Sequence, residues 1–288
     1  MCTFCVTRLA RGKSVSVPRE TILQDILAAE AGGTHEAVLT GVNLGAWGRD
    51  FENGHKLYDL VRYLLENSSV ERIRFSSLEP WDLDEEFFRL WEDERVCRHL
   101  HLPLQSGSSS VLRRMARKIS PHDYRELVRQ ARGVIPDLAV TTDIIVGFPG
   151  ETDEEFAESL EFVREIGFSD GHVFRFSSRE GTAAAKMPVK VDGRTASARS
   201  RQMREALAAS ARTYAARFSG RALTVLWETS RKISVNQWLL RGLTDNYLQV
   251  TALSSTNRSN MLDRVLLTST GQGSVLEGEL IENSLELT

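Results

Sequence analysis

Cysteine is scarce in this chain. Three in 288 residues leave no room for a disulfide framework. No apolar run is long enough to span a bilayer, and the first residues do not have the pattern of a signal peptide. These absences point to a cytoplasmic protein with reduced thiols and no membrane partner. Charge of one sign is not in excess either. A net charge of −3 does not announce a nucleic-acid binder, although local patches rather than totals do such binding. Low-complexity tracts and short repeats are missing as well. What remains is the composition of a globular protein, 26% charged and 41% hydrophobic, long enough for one large domain and one small one.

The first two hundred residues alternate between helical and strand patterns. Helices are expected around Ile22–Leu27, Leu57–Leu65, Asp84–Trp91, Ser109–Arg117, Pro121–Arg132 and Asp153–Ile166. Strands are expected at Ala37–Thr40, a short buried run, at Arg72–Ser76, which alternates, and at His99–Leu104, Val140–Val146 and Gly171–Phe176. Repeated strand–helix units predict an α/β fold with a parallel sheet or barrel. Residues 194–218 read as a polar, Ala- and Arg-rich connecting helix. After Gly220, short strands separated by Gly, Asn and Ser predict a small all-β barrel over 219–288.

Two cysteines stand at the N-terminus, in Cys2-Thr3-Phe4-Cys5. Alone, this spacing fits a redox pair or half a zinc site as well as part of an iron–sulfur ligand set. A thioredoxin-type pair would follow a strand pattern, which is lacking. A closed zinc site needs about four ligands. Cys97 reads as a buried structural thiol. Cys-x3-Cys-x2-Cys would supply three thiolates to a four-iron cluster; here the second and third are present, and the first would fall ahead of Met1. Five further segments share one property. Thr40–Gly45, Ser76–Pro80, Leu102–Gly107, Thr142–Glu151 and His172–Thr182 each close a predicted strand with polar side chains, and all but Ser76–Pro80 also with glycine. One such segment is an ordinary turn. Five at the same end point to a ligand rim.

With these motifs the chain resembles the radical S-adenosylmethionine methylthiotransferases, from Cys2 to about Gly278. Thr40-Gly41-Val42-Asn43-Leu44-Gly45 is closest to the subgroup acting on N6-threonylcarbamoyladenosine beside the tRNA anticodon. The resemblance implies a (β/α)6 radical-SAM barrel over residues 1–193, here partial and lacking its first strand, and a TRAM-like β-barrel that holds the tRNA anticodon stem-loop. It implies a [4Fe-4S] cluster carrying S-adenosylmethionine, an electron donor, and methylthio transfer to C2 of the modified adenine. Cys2 and Cys5 would be cluster ligands and the catalytic centre. Phe4, Gly41, Glu79, Gln105, Gly147 and Glu151 match positions around the cofactor. Arg8, Arg11, Arg179, Arg231 and Lys232 are substrate candidates, against the plainer reading of solvated surface side chains. In the small barrel, Arg221, Arg241, Arg258, Trp227, Trp238 and Tyr247 are candidates as a group, with Trp227 favoured as core. The acidic run from Glu277 to Glu286 fits tRNA poorly.

The chain departs from the family pattern in three ways. The first cluster cysteine is absent, as is the N-terminal domain that holds the family's second cluster. Arg175 stands where the family commonly has Pro. The expectation is an N-terminally truncated chain. Two other readings stand beside the tRNA enzyme: an inactive tRNA-binding remnant, and a methylthiotransferase for isopentenyladenosine or a ribosomal protein.

Overall fold

The computed structural model describes residues 2–281 apart from 53 and 272, with the side chains of residues 8, 9 and 270 left aside. A short helix α1 (Thr7–Arg11) follows the cysteine loop. Helix α2 (Arg19–Ala31) ends at Gly32-Gly33, where Gly33 takes φ 83° and turns the chain into β1 (Glu36–Leu39). Then come α3 (Leu57–Asn67), β2 (Arg72–Phe75), α4 (Glu85–Phe88), β3 (His99–His101), α5 (Ser109–Arg114), α6 (Pro121–Val134), β4 (Ala139–Val146), α7 (Asp153–Ile166), β5 (Asp170–Arg175) and α8 (Gly193–Ala216). Local chemistry sets several boundaries. Ser120 with Asp123, and Thr152 with Glu155, form reciprocal capping boxes at the starts of α6 and α7. Gly167, left-handed at φ 66°, stops α7.

All five strands pair in parallel: β1 with β2, and β3 with β4 and then β5. Isolated bridges at Ile73–Val96 and Ser77–His101 join the two groups, so the strands follow chain order and their C-terminal ends share one rim. Helices cover the outside. Leu60, Val61 and Leu64 of α3 are at most 1% exposed, each burial contributing about 1.5–3 kcal/mol. Helix α8 links the parallel strands to the barrel and also packs over β5, burying Met203, Leu207 and Ala211.

Three local expectations are corrected. β1 is not a fully buried strand: it pairs on one side only, and Val38 is 53% exposed. β2 does not alternate, because Arg72 and Arg74 are buried along with Ile73 and Phe75. The stretch Asp84–Trp91 is not one helix; α4 gives way to a 3-10 turn at Arg89–Glu92.

The expected small barrel is present. Strands β6 (Ala222–Ser234), β7 (Gln237–Thr244), β8 (Gln249–Ser254), β9 (Leu262–Thr270) and β10 (Leu276–Leu280) close in the order β10-β8-β7-β6-β9. Trp227, Leu240, Val265, Leu267 and Leu276 fill its interior with no exposed surface. Gly242 is required there, since a Cβ would strike the Leu226 carbonyl and the Trp227 ring.

The buried β2 arginines join the two parts. Arg72 donates to the carbonyls of Leu243 and Thr224. Arg74 chelates the Glu36 carboxylate at 2.6 and 2.9 Å and donates to the carbonyls of Thr244 and Asp245. Arg98 holds the Asp245 carboxylate through two bonds. Tyr247, at φ 62°, stacks flat on His99 with ring centroids 3.9 Å apart. These contacts satisfy the buried charges, without which they would be costly.

Candidate functional site

The cysteine loop is pinned to the rim by its backbone. Cys5 N–H donates to the Cys2 carbonyl, Thr3 N–H to the Met115 carbonyl, and Ala184 N–H to the Thr3 carbonyl. This directs the two cysteines and Phe4 to different places. Cys2 and Cys5 line a cavity of 1120 Å³ that runs along the unpaired edge of β1, together with Arg11, Gly41, Glu79 and Trp81. Phe4 instead packs edge-to-face on Phe148 within a small apolar cluster that includes Val111 and Met115. It anchors the loop there and is not among the cavity's lining residues.

The cavity's charge is organised by a residue the sequence reading did not single out. Arg117 follows α5, and its side chain is 2% exposed. Its Nη1 lies 3.6 Å from Cys2 Sγ, its Nη2 donates to the Pro103 carbonyl at 2.5 Å, and its plane lies 4.5 Å over the Trp81 ring. Glu79 Oε2 is 2.9 Å from Arg117 Nη2. Both that oxygen and Arg117 Nε are buried without a well-formed hydrogen bond. Arg117 is not itself a lining residue; it stands behind the cavity wall, holding the lining Glu79 carboxylate beside Cys2 and keeping unused hydrogen-bonding capacity at Nε. In sequence, Arg117 sits in a basic run with Arg113, Arg114 and Lys118 that reads as a solvated face. Its one cue was its place just after the rim segment Leu102–Gly107.

The other cofactor candidates divide. Gly41 lines the cavity, and a Cβ there would meet only Leu44, at an ordinary 3.7 Å. Gln105 takes φ 73° and carries its buried Oε1 unpartnered, while its backbone bridges to Asp143 and Ile145. Gly147 (φ 71°) and Glu151 lie away from the cavity. Gly147 N–H donates to the Glu151 carboxylate at 3.0 Å, and Arg199 of α8 pairs with Glu151 at 2.6 Å. Burial pushes the Glu151 carboxyl up, against the pull of Gly147 and Arg199. This group ties the β4–α7 turn to α8.

Of the substrate candidates, Arg8 lies outside the described side chains. Arg11 is exposed at the cavity and Arg179 is exposed on the rim loop. Arg231 and Lys232 are exposed on β6, with Lys232 Nζ 5.9 Å from the Trp238 ring centre. Arg241 is exposed. Arg221 is paired with Asp137 at 2.6 Å and Arg258 with Asp263 at 3.2 Å. Trp227 is core, as expected. Tyr247 is committed to His99, so its face is not free to stack a base. The acidic run continues past Ile281 outside the described residues.

Residues 1–163 match the radical SAM superfamily. The chain belongs to the radical SAM superfamily. The tRNA-2-methylthio-N(6)-dimethylallyladenosine synthase of Bacillus cereus is 38% identical over 288 residues, covering 99% of this chain and 56% of the relative. The threonylcarbamoyladenosine tRNA methylthiotransferase of Bacillus subtilis is 35% identical over 254 residues, covering 86% and 55%. The methylthiotransferase resemblance read from the motifs is thus borne out, and identity alone does not divide the two nucleoside subgroups. The chain spans about half the length of these curated relatives. Two solved structures share the fold: methylornithine synthase (TM-score 0.51, 18% identity, 72% of this chain and 58% of that one) and coproporphyrinogen III oxidase from Escherichia coli (0.51, 15%, 84% and 63%).

Membership of the radical SAM superfamily implies a [4Fe-4S] cluster and S-adenosylmethionine. The described residues meet that requirement in part. Cys2 and Cys5 bring two thiols to the cavity. Cys97 is fully buried beside Glu36 and Arg74, and burial pushes its thiol up to about 12. Among the described residues no group of three or more His, Cys, Asp or Glu is placed to hold a metal. The described ligand set therefore does not by itself hold the cluster. No helix among these residues is long and apolar enough to cross a membrane.

Proposed function

We propose that this radical SAM protein is the core of a tRNA methylthiotransferase. The observation that carries the reading is the convergence of Cys2, Cys5, Gly41 and Glu79 on one cavity, with Arg117 between Cys2 and Glu79. In this reading the five parallel strands are a (β/α)6 barrel without its first strand, residues 1–193 form the radical SAM core, residues 194–218 the connecting helix and residues 219–288 a TRAM-like tRNA-holding barrel. The chain's own residues bind and orient. Glu79 offers an anion to the ammonium of S-adenosylmethionine, and Arg117, behind the cavity wall, holds that carboxylate in place. Burial of Arg117 fixes that geometry before the ligand arrives. Arg231, Lys232 and the partly exposed Trp238 present charge and a π-face to the anticodon stem-loop.

The finer substrate is N6-threonylcarbamoyladenosine beside the anticodon, supported by the Thr40–Gly45 segment, which lines the cavity through Gly41 and Asn43. A second reading, the dimethylallyladenosine-type nucleoside, is favoured by relatives such as the Bacillus cereus synthase. Deleting the gene and digesting bulk tRNA for mass spectrometry tests both. Loss of the 2-methylthio derivative of threonylcarbamoyladenosine alone is expected. Loss of the 2-methylthio dimethylallyl derivative instead selects the second reading. Retention of both defeats the proposal.

A further inference from the structure

The inner face of the parallel sheet is polar on every strand. Glu36 of β1, Arg74 of β2, His99 and His101 of β3, Asp143 of β4 and His172 of β5 line a second cavity, also of 1120 Å³, which the small barrel closes with Leu243, Tyr247 and Val250. The alternate positions behave as core: Ile73, Leu100, Val140 and Ile144 are fully buried. Parallel strands that only fill a core are apolar on both faces, so the polar face is built for something else. Glu36 and Val38 line this cavity and the first one, so the two adjoin at β1.

Within this face four groups form a hydrogen-bond chain with a direction. Burial, with Arg74 and His101 nearby, pushes the His99 imidazole well below its usual range, so the ring is neutral. Its Nδ1 has no partner, and its Nε2 is 2.8 Å from the Thr141 hydroxyl. The same hydroxyl is 2.8 Å from His101 Nδ1. One hydroxyl has one proton to give. Were it given to His99, a buried N–H would be orphaned at His99 Nδ1, and a bare lone pair at His101 Nε2 would face the Asp143 carboxylate. The opposite order leaves no donor unpaired. His99 Nε2–H donates to Thr141, Thr141 donates to His101 Nδ1, and His101 Nε2–H faces Asp143 Oδ2 at 3.5 Å. That distance is too long for a good bond, and both side chains open on the cavity. A fixed donor and a fixed acceptor thus stand side by side, each able to take a ligand atom.

We infer that His101 and Asp143 grip the N6/N7 edge of the substrate purine, His101 Nε2–H donating to N7 and the N6–H donating to the Asp143 carboxylate. The inference rests on the tRNA methylthiotransferase reading and deepens it, by naming the residues that select and orient the base. An amide side chain recognises adenine through the same donor–acceptor pattern. A substituent on N6 that turns toward N1 leaves this N–H free beside N7. C2 lies across the six-membered ring from the gripped edge and stays uncovered. Phe174, two residues beyond His172 and 51% exposed within the cavity, offers a face on which the ring can stack. Thr141 and His99 are positioning residues. Tyr247, stacked on His99, makes the small barrel part of the arrangement.

The test measures binding of two anticodon stem-loops, one with adenosine and one with 7-deazaadenosine at the position beside the anticodon. The second lacks only the N7 acceptor. The wild-type chain is expected to prefer adenosine by about tenfold, the worth of one base-edge hydrogen bond. In H101F, checked for folding by circular dichroism, the two affinities should agree within about twofold. No preference in the wild type, or an undiminished preference in H101F, overturns the inference and leaves the tRNA reading standing. Absence of binding to either stem-loop by the wild-type chain overturns both. Nitrogen NMR of the imidazole rings adds a readout that needs no variant. His101 should be protonated at Nε2 and bare at Nδ1, and the reverse overturns the inference. In T141V, His101 should lose its single tautomer; keeping it would overturn the positioning role of Thr141.

Discussion

The two β-structures of this chain solve the edge problem in opposite ways. The C-terminal strands close into a barrel, so each of the five has two paired neighbours. The N-terminal strands run parallel in chain order and leave β1 paired on one side only, its free edge forming a wall of the 1120 Å³ cavity. Closure gives a fully buried Trp227; openness leaves Val38 half-exposed. The same openness brings Cys2, Cys5 and Glu79 within reach of a ligand. A closed sheet spends its backbone on stability, whereas an open rim keeps polar groups available for chemistry.

The comparison predicts unequal sensitivities. Trp227→Ala empties the closed barrel's core and should cost about 3–5 kcal/mol in chemical denaturation. Arg199→Met leaves the buried Glu151 carboxylate without its partner, and a loss of about 3–5 kcal/mol is expected in the parallel half. If two unfolding transitions are resolved, the first substitution should move one and the second the other. A single shared transition would show that the Arg72, Arg74 and Arg98 contacts make one cooperative unit.

The junction itself gives a smaller, pH-dependent effect. Burial pushes the Asp245 carboxyl up, but Arg98, with Arg72 and Arg74 behind it, overcomes this and holds it below 3.8. A carboxylate lowered in the folded state contributes stability that is present above its unfolded value and is lost as pH falls through the folded one. The junction should therefore loosen below about pH 4. Asp245→Asn should cost about 1–3 kcal/mol at neutral pH and remove that share of the acid dependence, read from stability against pH. At the open edge, Val38→Thr should change stability by less than about 0.5 kcal/mol. Thiol labelling of the folded protein at neutral pH, followed by peptide mass spectrometry, should modify Cys2 and Cys5 and spare Cys97, whose thiol is both buried and pushed up to about 12. Labelling of Cys97 at a comparable rate would mean that the floor beneath β2 opens.

Much of the fold was legible because local and global preferences agree. Asp153–Ile166 appears at its expected bounds, for the capping box and Gly167 define both ends. Val140–Val146 is β-branched at every position but Asp143, which favours a strand in any arrangement. The β2 arginines were not legible. Arg72 and Arg74 look like the polar face of a half-exposed strand, and only the small barrel's carbonyls at Thr224, Leu243, Thr244 and Asp245, far along the chain, let them be buried. The strand-end glycines and polar residues marked the rim, yet they did not say which side chains reach the cavity. Glu79 does so, while Glu151 is taken by Arg199 and Phe4 by Phe148.

The sequence by itself determined the alternation of strands and helices, the switch to an all-β segment after Gly220, and the chemistry of the rim, because each follows from periodicity, caps and residue type within a short window. The tertiary structure alone decided that Arg117 stands between Cys2 and Glu79, that Tyr247 is committed to His99, and that Arg199 takes Glu151. Those outcomes depend on which distant groups share a neighbourhood. A charge is a surface ornament, a latch or a binding group according to what lies within a few ångströms of it, and chain order does not encode that distance.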